Sequence, residues 1–192
     1  MMRNMPESLG VIAEDDTDVD VVRVVMRRLR PEHGIKKFAA NGSGKLVNKA
    51  AAWFAQLYRI GCNSAVLLHD LDRNPANGQL NDEGQLRERL LRIDGPHGLV
   101  KLICIPVEEL EAWFFSDPSV MNEVCGRPSE AVASPHLVKK PKEKLMALSR
   151  GSNRKERYNT NANARLAEKL DLDLCAQRCP SFRELKQFIE RL

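Results

Sequence analysis

Ala65-Val66-Leu67-Leu68-His69-Asp70-Leu71-Asp72-Arg73-Asn74-Pro75 joins an apolar run to two aspartates one residue apart, and then to a turn. The run reads as a short buried strand. Residues i and i+2 of an extended chain face the same side, so Asp70 and Asp72 are expected to share one space at the strand end. Two carboxylates held close together raise each other's cost of ionisation unless a cation lies between them. A hard divalent ion with oxygen ligands, Mg²⁺ or Mn²⁺, meets that need. The competing reading is a strand that ends in a solvated acidic turn.

Working outward, Leu9-Gly10-Val11-Ile12-Ala13 reads as an earlier buried strand, ending at Glu14-Asp15-Asp16-Thr17-Asp18. Val21, Val22, Val25, Met26 and Leu29 then mark a helix that stops before Pro31, with Thr17 or Asp18 as its cap. A short strand over 35–40, a glycine loop at 41–45 and a helix near 46–59 lead back to the acid-tipped strand. A helix over 85–93 and a strand over 99–105 follow, and Val107–Phe115 reads as another helix after Pro106. Alternation of strands and helices predicts an α/β, Rossmann-like unit with a mainly parallel sheet over about 9–115. Residues 116–192 read as a helical, basic extension with helices near 141–149, 161–170 and 181–191, the whole forming one domain.

Ligands of parallel sheets gather at the carboxyl ends of the strands. Three such ends carry acids: Glu14 with Asp18 behind it, Asp70 with Asp72, and the segment Glu108-Glu109-Leu110-Glu111. On a helix, Glu108 and Glu111 would share a face and Glu109 would point elsewhere. Acids in the first turn of a helix are also favourable without any ligand. His69 is expected to point away from the two aspartates.

The net charge is +4, but Pro135–Arg165 holds nine Lys or Arg against two acids. Lys139, Lys140, Lys142, Lys144, Arg154, Lys155 and Arg157 are the candidates for a polyanion-binding face, with a plain solvated surface as the alternative. Gly42-Ser43-Gly44-Lys45 is not a Walker loop, since Ala39 and Leu46 occupy two of its defining positions. Lys45 is still a candidate phosphate contact. The cysteines at 62, 104, 125, 175 and 179 include no Cys-x-x-Cys pair, which points to a reducing, cytoplasmic setting rather than zinc or disulfides. No apolar run approaches the roughly 20 residues of a membrane span. Pro6, Glu7 and Gly10 interrupt any signal-peptide core.

Three motifs in order, Gly10-Val-Ile-Ala-Glu14-Asp-Asp-Thr-Asp18, Val66-Leu-Leu-His-Asp70-Leu-Asp72 and Ile105-Pro-Val-Glu-Glu-Leu-Glu-Ala-Trp-Phe-Phe-Ser-Asp117, resemble a TOPRIM-like domain. The resemblance is to the prokaryotic family DUF4276, related to TOPRIM nucleases of the overcoming-lysogenization-defect type. It extends to Pro141-Lys-Glu-Lys144-Leu and Cys179-Pro-Ser-Phe182. Asp15 stands where the TOPRIM pattern usually has glycine, and no glycine follows Asp72 at the usual distance.

The resemblance implies that Glu14 is the TOPRIM glutamate, that Asp70 and Asp72 are the metal-binding Asp-x-Asp pair, and that Glu108 or Glu111 supplies the extra acid. It implies a Mg²⁺- or Mn²⁺-dependent nuclease acting on DNA or RNA, in a defence role against phage or mobile DNA. A defence-system ATPase would be a fitting protein partner. The rivals are a non-catalytic TOPRIM-like binding module and, more remotely, a phosphoacceptor receiver-like domain.

Overall fold

The computed structural model describes residues 8–40, 42–151 and 155–192. Four parallel strands, β1 (Ser8–Ala13), β2 (Gly34–Ala39), β3 (Ser64–Leu68) and β4 (Val100–Cys104), form one sheet in the order β2-β1-β3-β4. The expected strands are all present. Helices α1 (Asp16–Leu29), α2 (Ser43–Arg59) and α3 (Glu83–Leu91) link them. This is an α/β, Rossmann-like arrangement.

Period-two alternation decides which side chains reach which layer. Leu9, Val11, Ala13, Val66, Leu68 and Cys104 point to one face, where α1 packs with the C-terminal helices. Ile12, Ala65, Leu67 and Ile103 point to the other, where α2 and Leu90 of α3 close a second core. Gly10 makes the second face possible: a Cβ there would meet Leu57 Cδ1 at 2.7 Å, so its missing side chain lets α2 lie close to β1.

The second half of the chain holds α4 (Pro118–Cys125), α5 (Pro141–Leu148), α6 (Asn163–Lys169), α7 (Leu172–Arg178) and α8 (Pro180–Glu190). The expectation for residues 116–192 captured α5, α6 and α8 and missed α4 and α7. Helix α6 packs on α1, and α8 packs on β4 and α1, so these helices form a layer of the main core. Trp113 meets Phe182 edge-on at 5.1 Å and donates from its indole N–H to Ser181 Oγ at 3.1 Å. Four of the five cysteines are buried and none is in a disulfide. Burial pushes the Cys104 thiol pKa up. Among the described residues, no helix is long and apolar enough to cross a membrane.

The helix expected over 107–115 is not formed as such. Pro106 ends the strand run, Leu71 and Val107 form a parallel bridge, and Glu108 adopts a left-handed backbone at φ 61°. Only then does a 3-10 segment, Leu110–Ser116, begin. Extended pairing that carries on past the strand end outcompetes the first helical turn.

Candidate functional site

The strand order places a topological switch between β1 and β3. From β1 the chain leaves to β2 on one side and returns through β3 on the other. A crevice forms at the carboxyl ends of such a strand pair. Glu14 follows β1 there, and Asp70 follows β3.

Glu14 is half-buried, and its buried Oε1 has no hydrogen-bond partner among the described residues. Its nearest basic group is His69, with Nδ1 at 3.7 Å. Burial, then the Asp72 charge, push the Glu14 pKa up to about 7, against a lowering by the Asp70 backbone amide. Asp70 Oδ1 is likewise buried without a partner among the described residues. Burial, followed by the charges of Asp18, Glu111, Glu14 and Glu109, holds Asp70 well above the usual carboxylate range. Five carboxylates from three chain segments therefore act on one another around the end of β3.

Asp18 belongs to this group through α1. The helix cap is Asp15, whose Oδ1 accepts from the Thr17 and Asp18 amides at 2.8 and 3.2 Å. The Asp15 amide in turn donates to Asp18 Oδ2 at 3.4 Å, completing a capping box. The expected cap at Thr17 or Asp18 is thus corrected to Asp15. Burial first, then Asp15 and Glu111, push the Asp18 pKa up to about 8.

The third acidic segment is arranged differently from expectation. Glu108 and Glu111 do not share a helix face, because the chain turns at Glu108 before the 3-10 segment starts. Glu108 faces Arg73, whose Nε lies 2.8 Å and whose Nη2 lies 2.5 Å from Oε1, while its Oε2 accepts the Lys140 amide at 2.7 Å. Both of its oxygens are occupied. Glu109, expected to point away, bears on Asp70 and accepts the Lys142 amide at 3.0 Å. Burial raises the Glu109 pKa to about 7 against the lowering effect of that amide. Glu111 is buried and accepts from Asn163 Nδ2 at 3.0 Å. The Tyr158 hydroxyl lies 3.4 Å from the same oxygen and donates to Asn163 Oδ1 at 2.6 Å. Asp117 is accounted for by structure: it caps α4 through Ser119 and accepts the Asp171 amide.

Asp70 and Asp72 do face one space, as alternation requires, with Leu71 buried between them. That space is a cleft of about 660 Å³ bounded by the start of α2, the end of β3 and α3. His69 lines it as well, which corrects the expectation that it points away. Its Nδ1 lies 2.8 Å from the Asp70 carbonyl oxygen, so Nδ1 carries the hydrogen. Its Nε2 is buried with no partner among the described residues, and burial lowers its pKa. No sequence pattern marked this ring. Among the described residues, no three His, Cys, Asp or Glu side chains already stand together as a ligand set.

A family model described as a domain of unknown function, DUF4276, matches residues 13–190. The chain belongs to the DUF4276 family. No curated protein and no solved structure matches it.

In this DUF4276 chain the basic candidates fall into two groups. Lys139, Lys140 and Lys144 are exposed and Lys142 is half-buried around the start of α5, next to the acidic segment that binds their backbone. Lys155 and Arg157 are exposed farther along, and Arg154 lies outside the described residues. Arg150 and Arg165 are paired with Glu156 and Glu123. Lys45 is exposed in the first turn of α2 and is not among the residues lining the cleft.

Proposed function

We propose that this DUF4276 chain is a divalent-metal-dependent phosphodiesterase acting on DNA or RNA, with a TOPRIM-like centre at the ends of β1 and β3. The observation that carries the reading is Asp70: a carboxylate among four others, with a buried Oδ1 that no described residue satisfies. Buried carboxylate oxygens are ordinarily hydrogen-bonded or paired. Arg73, a cation on the same chain segment, is committed to Glu108. An all-oxygen donor set of this kind suits Mg²⁺ or Mn²⁺.

Asp70 and Asp72 would hold the ion, with Glu14 beside them and Glu111 or Glu109 behind. Bound there, it would lower the pKa of a water and neutralise phosphate charge. The chain itself supplies the rest. Glu14, at the end of β1 beside Asp70, would be placed to accept a proton from that water. Asn163 and Tyr158 hold Glu111 in place, and the Lys139–Lys144 segment offers cations to a phosphate backbone beside the acids. Glu108 serves as a latch for Arg73 and Lys140, and contributes position rather than a ligand. A defence role and a partner ATPase are part of the proposal that comes from the TOPRIM resemblance.

The test is Mn²⁺ binding followed by a nuclease assay on single- and double-stranded DNA and RNA, in the wild type and in Asp70→Asn, Asp72→Asn and Glu14→Gln. Metal-dependent cleavage that all three substitutions abolish is expected. Cleavage that survives them places the chemistry elsewhere, and a wild type that neither binds metal nor cuts leaves a binding module.

A further inference from the structure

The mouth of the cleft is built for something the acids alone do not explain. Helix α2 opens on Gly42 at φ 124°, with no side-chain cap. Its first intrahelical bond runs from the Leu46 amide to the Gly42 carbonyl. The amides of Ser43, Gly44 and Lys45 therefore have no acceptor among the described residues, and they sit at the positive end of a 17-residue helix.

A helix start of this kind attracts anions, and two side chains at the same cleft bear on what would occupy it. Arg89 lines the same cleft from α3 and has no carboxylate or hydrogen-bond partner among the described residues. Its charge is felt at His69. His69 is 4% exposed and borders the cleft; with its hydrogen on Nδ1, its Nε2 is a bare acceptor with no partner among the described residues, fit to accept from a sugar hydroxyl rather than to hold a phosphate.

The remaining walls match a nucleotide. Val47 and Leu86 offer an apolar surface, and Asn48, Asn81 and Gln85 line the cleft with side-chain amides that bond to nothing else described. The volume lies within the range of small-ligand sites.

We propose that this cleft takes one 5′-phosphorylated nucleotide unit, with the phosphate on the Ser43 and Gly44 amides and the Arg89 guanidinium, and the sugar and base along α3. The phosphate enters a space shared with Asp70 and Asp72, so the inference rests on the divalent-cation reading above. The unit is either a free mononucleotide or the phosphorylated end of a strand.

Gly44 provides a selective test, because a Cβ there meets nothing within 4 Å and its φ is not in the left-handed region. Gly44→Asp should fold and melt at or above the wild-type temperature, since an acid in the first turn favours the helix. The same carboxylate occupies the phosphate position.

Calorimetric titration of the full chain with adenosine 5′-monophosphate in Mg²⁺ is expected to saturate. Gly44→Asp and Arg89→Gln should each weaken it about tenfold or more, the scale of one charge-assisted contact, while Gly44→Ala should match the wild type. A 5′-phosphorylated oligonucleotide that binds better than its 5′-hydroxyl twin, with the advantage erased by Gly44→Asp, identifies a strand end as the ligand. Mononucleotide binding with no such advantage identifies a free nucleotide. Absence of both forms of phosphate-dependent binding in the wild type, or affinities unmoved by Gly44→Asp and Arg89→Gln, overturns the site. A chain that binds the mononucleotide but never cleaves refutes the phosphodiesterase and leaves the cleft standing. One that cleaves without phosphate-dependent binding does the reverse.

Discussion

The backbone amide of Lys140 donates to Oε2 of Glu108 at 2.7 Å, and these are the two non-glycine residues with positive φ among those described, at 47° and 61°. A left-handed conformation costs an ordinary L-residue about 1–2 kcal/mol. Two such residues tied to each other mark a place where tertiary contacts overrule local preference. Lys140→Gly keeps the amide and removes the strain, so it should stabilise the chain by about 1 kcal/mol, while Lys140→Ala should leave stability nearly unchanged. Urea melts of the two variants check this, and equal midpoints for both would count against a strained backbone.

Arg73 is the other half of the latch. Its side chain is 25% exposed and that of Glu108 is 8% exposed, so Arg73→Ala strands a buried carboxylate. A loss of about 3 kcal/mol is expected, at the low end for breaking a buried pair. Arg73→Met with Glu108→Gln should recover part of it. A single mutant no less stable than the double would show that the pair contributes nothing.

Asp70→Asn separates stability from function. The amide relieves repulsion among the carboxylates, so the metal-free chain should melt no lower than the wild type, and higher in alkaline buffer. The stabilisation by added Mg²⁺ should vanish. Loss of an outer-shell partner alone costs about 10–100-fold in metal affinity or activity, so removing a ligand should cost more. Scanning calorimetry with and without Mg²⁺, paired with the cleavage assay, reads both effects.

The raised acids fix the pH dependence. Glu14 moves from an ordinary 4.5 to about 7, and Asp18 from 3.8 to about 8. Between those limits the folded chain binds more protons than the unfolded one. The stability they contribute is complete at the acid end of the window and is lost as pH rises through the upper values. Metal-free protein should therefore melt progressively lower from about 4.5 to about 8, with Mg²⁺ flattening or reversing the trend because bound carboxylates must be ionised. A metal-free melting temperature that climbs across the window contradicts the burial of these groups.

The lysines around the start of α5 should act through salt. Reversing Lys139, Lys142 and Lys144 to Glu is expected to lower the slope of log affinity against log salt by about 2–3. Reversal at Arg150 and Arg165, whose charges are paired with Glu156 and Glu123, should change it less. Equal effects would mean a diffuse field rather than a defined face.

Much of this was legible in the sequence because it depends on local pattern. The apolar runs at 9–13 and 65–68 show their strands, and alternation alone puts Asp70 and Asp72 on one side of Leu71. Helix α4, missed from the sequence, still carries a local signature: Asp117-Pro118 is a cap followed by a first-turn proline, and Gly126 at φ 66° closes it. What was hidden is what long-range pairing decides. The bridge from Leu71 to Val107 suppresses the expected helix, ties Glu108 to Arg73 and leaves Glu109 to bear on Asp70. The same holds for His69, whose orientation follows from a hydrogen bond to its own neighbour's carbonyl.

The anchoring of Glu111 by Tyr158 and Asn163 sets the order in which the protein can come into being. A chain emerging from the ribosome has all four strands in hand by Cys104, yet the side chains that hold Glu111 arrive some 50 residues later. Until then the acids at the strand ends face one another without their last restraint. On the divalent-metal reading proposed above, the nascent sheet alone would be a poor home for the ion, and the centre would be complete only once the C-terminal helices have docked.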